Sequence, residues 1–347
     1  MFGVSDKPRL VASARAGSPC DEASLTPVVT LLLTTAAHAQ RGDGRPGSAK
    51  NTVARGRRPA AQVRRPTGAA SRESVGLRPL SRMTAEDRYQ GEDGGLYGAE
   101  KNVPPDEHRR TAEAVSARVQ PLVREGRPDP NGRVVFISIS MSSATQEFSR
   151  CKQIADGDPA KSSKLKIVDC AQGGQAMAER AVLDSPAWRE TDRRLEAAGV
   201  LPKQVQVAWI KLANKAPTGP LAEHGRQLQR DTQAVVQNAK DRFPSLRIAH
   251  PTSRIYAGCA TSNLNPEPCA CESACVVRWL IHDQITGTDR WANGRCGSLR
   301  EPTADRGAIS DNGPVKSPLL LWKPYLWADG TTPRAADKRT STRDDLE

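Results

Sequence analysis

From Gly132 onward the apolar positions switch between two spacings, one of strands and one of helices. The run Val134–Ile139 is apolar at every position except Ser138, which marks a strand buried on both faces. It breaks into small hydroxyl residues at Ser140, Ser142 and Ser143. A short second strand is predicted over Leu165–Val168 (LKIV). Ser185 and Pro186 then supply an N-cap and a first-turn proline for a helix running to about Ala198, closed by Gly199. Residues 204–212 (QVQVAWIKL) predict a third strand. Leu221, Leu228, Val235, Ala239 and Phe243 share one face of a long helix that stops at Pro244. A fourth strand over 246–249, a helix from Glu272 to about Ile285 and a fifth strand over 319–322 complete the order. Strands alternating with helices of this length imply βαβ units, and right-handed crossovers make a three-layer α/β/α sandwich with a parallel sheet.

The first third reads differently. Residues 1–40 contain a signal-like segment, with a short apolar stretch at 25–39 and a small-x-small site, Ala37-His38-Ala39, before Gln40. Asp21 and Glu22 stand where a basic region should lie, and an internal start would repair the match. The stretch is too short to span a bilayer, so the expectation is a secreted or periplasmic protein with no membrane partner. Residues 41–82 form a basic linker expected to be disordered, with 11 Lys/Arg against Asp43 and Glu73, so 11 − 2 = +9 of the net +12. The rest carries 12 − 9 = +3, which is ordinary for a globular domain. The linker has no interleaved aromatics for base stacking, so nucleic acid ranks well below the other partners. Residues 83–131, with YQGEDGGLYG and a short helix near 111–119, are expected to lie as an extended arm on the domain at 132–347.

A strand ending in a serine-bearing turn before a helix is one way in which α/β enzymes present a nucleophile; an ordinary strand-to-loop junction is the alternative. Eight cysteines are present, and Cys269, Cys271 and Cys275 with Cys259 or Cys296 invite a metal reading. The C-x-C-x3-C spacing is not a usual zinc pair, and incidental or disulfide-forming cysteines are expected instead. No cofactor and no metal are expected.

With this order of elements the chain resembles the SGNH (GDSL-type) hydrolase superfamily over roughly residues 132–326. The resemblance implies a flavodoxin-like sandwich with Ser142 as nucleophile, Gly173 of the DCAQGG sequence after the second strand, and Asn214 after the third. Backbone N–H groups of the first two and the Asn214 amide would bind an oxyanion. Within the superfamily it is most similar to a group of exported bacterial proteins, through GGLY at 94–97, Met141-Ser142, AQGG at 171–174, LNPEP at 264–268 and YLWAD at 325–329.

There are departures from that pattern. Ser140 and Met141 replace Gly-Asp, Leu212 replaces glycine, Lys215 replaces an aspartate, and Cys259, Cys269 and Cys271 stand where aromatics are expected. The late Asp-x-x-His block is missing: Asp329 is followed by Thr332 in the histidine position, and a C-terminal truncation is the expectation. Of the five histidines, His38 lies in the signal-like segment, His224 and His282 fall in predicted helices, and His108 lies in the arm. His250, expected just past the fourth strand, is the best-placed substitute base.

The resemblance therefore implies a serine esterase acting on a carbohydrate or small acyl ester, impaired by the absent histidine. The alternative is a non-catalytic carbohydrate- or ligand-binding protein on the same fold, with Trp188, Trp209, Trp279, Trp291, Trp322 and Trp327 as candidate stacking surfaces. Trp209 and Trp279, by their strand and helix positions, are expected in the core.

Overall fold

The structure, a computed structural model, describes residues 74–260, 262–287, 317–334 and 337–341. Five parallel strands form one sheet in the order β2-β1-β3-β4-β5: β1 is Val134–Ile139, β2 Leu165–Val168, β3 Val205–Lys211, β4 Ile248–Thr252 and β5 Leu319–Leu320. The helices are α1 (Asp106–Ser116), α2 (Ser142–Asp156), α3 (Met177–Ala181), α4 (Pro186–Ala197), α5 (Leu221–Arg242) and α6 (Cys269–Thr286).

The apolar run of β1 is buried at every position because each face of the sheet carries its own core. Val135, Ile137 and Ile139 pack with Trp188 and Leu195 of α4, Leu228 and Val235 of α5, and Leu280 of α6. Val134 and Phe136 face the other way, onto Ala144, Phe148 and Ala155 of α2. Phe148 stacks on Trp209 of β3 at 5.7 Å and meets Phe136 edge-on at 5.1 Å. Ala112 of α1 covers Ile248 and Leu319 toward the far edge. Helices thus lie on both faces of an all-parallel sheet, as the alternating pattern requires.

Chain direction and handedness explain the strand order. The chain leaves β1 through α2 on one face to reach β2, then crosses back through α3 and α4 on the other face to reach β3. A right-handed crossover permits this only if the direction of winding reverses, and it does so between β1 and β3. That reversal opens a crevice at the carboxyl ends of β1 and β3, the place where open α/β sheets bind ligands.

Three expected boundaries shift. The fourth strand runs over Ile248–Thr252 rather than 246–249, because Leu246 closes the turn after α5 through its N–H to Phe243 O. The fifth is confined to Leu319–Leu320. Helix α6 begins at Cys269, which places Cys269, Cys271 and Cys275 on one helix.

Residues 74–102 are stitched to the domain. Leu80 and Met83 join the larger core, the Tyr325 hydroxyl accepts from Leu80 N at 2.8 Å, and Arg278 pairs with Glu92 and Asp93. Asp329 accepts from Ser74 Oγ and from the N–H groups of Val75 and Gly76.

Candidate functional site

The loops after β1, β2 and β3 meet at the carboxyl rim. Met141, Ala176 and Ala213, one from each loop, form their own small apolar cluster. Gln172 N donates to Ser140 O at 2.9 Å, and Met177 N donates to Ala213 O at 2.9 Å. Lys215 Nζ reaches Gly174 O at 3.3 Å. Each loop is thereby held in place by its neighbours.

Ser142 is the first residue of α2 and is exposed, while Met141 behind it is buried in the rim cluster. Ala144 N and Thr145 N turn back onto Met141 O, and the Ser142 hydroxyl stands at the positive end of the helix dipole. A Cβ placed on Gly173 would meet Ser142 Cβ at 4.0 Å, so the second loop approaches the serine side-on with open space between them. Ser142 and Gly173 are therefore brought together.

Asn214 follows β3 at the same rim, but its carboxamide is engaged. Its Oδ1 accepts from Ala178 N at 2.9 Å, and its Nδ2 donates to Asp231 Oδ2 at 2.6 Å. Ala178 belongs to α3 and Asp231 to α5, so Asn214 ties the third loop to both helices.

Two arginines fix the glycine loop. Arg180 is fully buried against Trp188, its Nη2 donating to Cys170 O at 2.7 Å; burial pushes its pKa down to about 10. Arg194 Nη1 donates to Asp169 O and Ala171 O at 3.1 and 2.8 Å. On the opposite side Thr145 Oγ1 donates to Ala171 O. Asp169 takes the hydroxyl of Ser138 at 2.5 Å, and its burial raises its pKa. Arginines on amphipathic helices read as solvated in a sequence, so nothing in the pattern marked these two.

The histidines lie elsewhere. His250 is inside β4, not beyond it, and is buried beside Leu321 O at 3.2 Å, with burial pushing its pKa down to about 4. The expectation of a substitute base at the rim fails because the strand extends two residues past His250, to Thr252. His108 is buried on α1, edge-on to Tyr97 at 6.2 Å, over the β4 and β5 side of the sheet. His224 is hydrogen-bonded to Glu272 at 2.6 Å, and His282 is exposed on α6. His38 falls outside the described residues. Among the described residues, none of these histidines hydrogen-bonds Ser142.

A chain of charged side chains runs from α2 toward α6. Lys211, at the end of β3, pairs with Glu147 of α2, and burial pushes its pKa down to about 8. Glu267 accepts from Ala257 N, Cys271 N and Trp327 Nε1, and burial pushes its carboxyl up to about 7. Arg254 interacts electrostatically with both Glu147 and Glu267.

The tryptophans do not offer stacking platforms. Trp188, Trp209, Trp279, Trp322 and Trp327 are all buried in the cores, and Trp291 lies outside the described residues. Cys170, Cys271 and Cys275 are free thiols. Cys296, one of the two alternatives for a fourth ligand beside the Cys269, Cys271 and Cys275 group, lies outside the described residues. A cleft of about 360 Å³, lined by Leu183, Asp192, Pro202, Asn238, Asp241 and Arg242, lies at the amino ends of the strands, away from Ser142. No described helix is long and apolar enough to cross a membrane.

Compared with known proteins, the chain matches no family model, no curated protein and no solved structure.

Proposed function

We propose that the rim at Ser142 is the ester-binding site of an SGNH-type serine hydrolase whose chemical step is slowed because no histidine among the described residues stands beside the serine. The observation that carries the reading is that Ser142, at the head of a helix, faces the bare side of Gly173, where an added Cβ would meet Ser142 Cβ at 4.0 Å. The strand order 2-1-3-4-5 is that of flavodoxin-like sheets, and the serine and asparagine loops flank its switch point.

In this reading an ester carbonyl lies between Ser142 Oγ and the N–H groups of Ser142 and Gly173. Attack moves the carbonyl π electrons onto oxygen, and the helix head and the glycine loop stabilise the oxyanion. Among the described residues no histidine reaches Ser142, so in this reading the serine proton leaves to water and proton transfer limits the rate. Donors without a base leave a residual enhancement on the order of 10³–10⁴ over water. Buried tryptophans beside an exposed Ser142 and Gly173 favour a small acyl ester over a long glycan. Export to the periplasm or the exterior, implied by the segment at 25–39, belongs to the same reading.

Hydrolysis of 4-nitrophenyl acetate tests this. The protein should give a weak, saturable rate that falls to the buffer rate in Ser142→Ala; equal rates in the two proteins contradict it. The engaged carboxamide of Asn214 favours a second reading, a binding protein that keeps the pocket without turnover. Acetylated oligosaccharides that bind with no hydrolysis above buffer would select it.

A further inference from the structure

Helices α5 and α6 begin side by side, and three side chains of different donor type converge in their first turns. His224 comes from α5; Cys269 and Glu272 come from α6, where a spacing of three puts them on one face. One imidazole nitrogen, one thiol sulfur and one carboxylate oxygen all lie within 4.8 Å of one another. His224 and Glu272 have side chains only 7% and 2% exposed, and Cys269 is buried. We propose that His224, Cys269 and Glu272 bind a thiophilic divalent cation of the zinc class, with Tyr89 and Gln90 as an outer shell that orients the carboxylate.

The geometry fits such an ion. Zinc bonds of about 2.0–2.3 Å at tetrahedral angles separate ligand atoms by about 3.4 Å. The His224 Nε2 to Glu272 Oε2 contact, a hydrogen bond at 2.6 Å, opens by under about 1 Å to admit the metal between them. The other carboxylate oxygen, Oε1, accepts from the Tyr89 hydroxyl and from Gln90 Nε2, both at 2.7 Å, which leaves Oε2 aimed at the imidazole. Gln90 is anchored in turn by Leu221 N, the first residue of α5. Outer-shell hydrogen bonds of this kind set the orientation of a ligating carboxylate.

Charge also balances. A neutral imidazole, a thiolate and a carboxylate offset a divalent ion, so the buried site ends neutral; the thiol proton leaves to solvent on binding. Cys271 lies about 200° around the helix from Cys269 and belongs to another face, so the C-x-C-x3-C spacing contributes one sulfur rather than three.

Cobalt(II) titration of the reduced full chain tests the site. A thiolate-to-cobalt charge-transfer band should grow to saturation at equimolar metal and be displaced by zinc. It should vanish in Cys269→Ser and persist in Cys275→Ser, which alters a buried thiol of the same helix that lies outside the cluster. The conservative Tyr89→Phe variant should bind cobalt on the order of 10-fold more weakly. No band in the unaltered chain overturns the proposal. So does a band that survives Cys269→Ser, or an affinity unchanged in Tyr89→Phe.

Discussion

Two buried titratable side chains give this protein a specific response to acid. His250 ordinarily titrates at 6.5 and is pushed down to about 4 by burial. Its unfolded form takes a proton first as pH falls, so its contribution is present above pH 6.5 and is lost on the way to pH 4. Glu267 runs the opposite way, from 4.5 up to about 7. Its contribution is present below pH 4.5 and is lost as pH rises through 7. Between pH 4.5 and 6.5 the two slopes oppose each other, so substituting one exposes the other. His250→Asn should lose stability as pH rises across that window, and Glu267→Gln should gain it, by up to about 3 kcal/mol. Urea midpoints at pH 5 and pH 6.5 measure this; parallel pH profiles in the two variants contradict it. At the site itself, Gly173→Ala meets nothing nearer than 4.0 Å and should leave stability within about 0.5 kcal/mol while narrowing the space beside Ser142. Slower ester turnover with an unchanged thermal midpoint is the expected result, and an unchanged rate counts against an acyl group lying there.

At the scale of elements, the strands and helices were legible because the apolar spacing changes period cleanly. Ser185 does cap α4, accepting from Ala187 N, and Gly199 closes the helix at a φ of +76°. The fourth strand begins later than its apolar run because Leu246 is apolar as a turn residue, which periodicity alone does not separate from a strand residue. Ser142 and Gly173 stood out through their motif, whereas the role of Arg180 depends on a buried carbonyl, Cys170 O, that only packing reveals. Removing Arg180 strands that carbonyl and empties the space under Trp188. Arg180→Ala should therefore cost about 3–5 kcal/mol in chemical denaturation. Phe148→Ala, which removes the largest apolar side chain between α2 and the sheet, should cost a similar amount, about 3–5 kcal/mol. A cost below 1 kcal/mol for either would show that the helix is not held as described.

The whole molecule depends on contacts far apart in sequence. The 74–102 segment reaches the domain through Arg278, which is bonded to Glu92 and Asp93, and through Trp279 Nε1, which donates to Glu92. These charges are mostly buried, so breaking the pair from either side leaves the partner uncompensated. Glu92→Ala and Arg278→Ala should each destabilise by about 3 kcal/mol, and the double variant by clearly less than their sum. Additive losses would mean that the arm rests on the domain without this clasp. The convergence of Met141, Ala176 and Ala213 is likewise a product of topology, since parallel strands put the loops after β1, β2 and β3 at one rim and the order β2-β1-β3 sets them side by side. The central claim is that this rim presents a reactive hydroxyl. Prolonged exposure to a fluorophosphonate, followed by peptide mass mapping, measures it most directly. Slow, time-dependent modification confined to Ser142, and absent in Ser142→Ala, is the predicted result; no modification, or modification of another serine at the same rate, contradicts it.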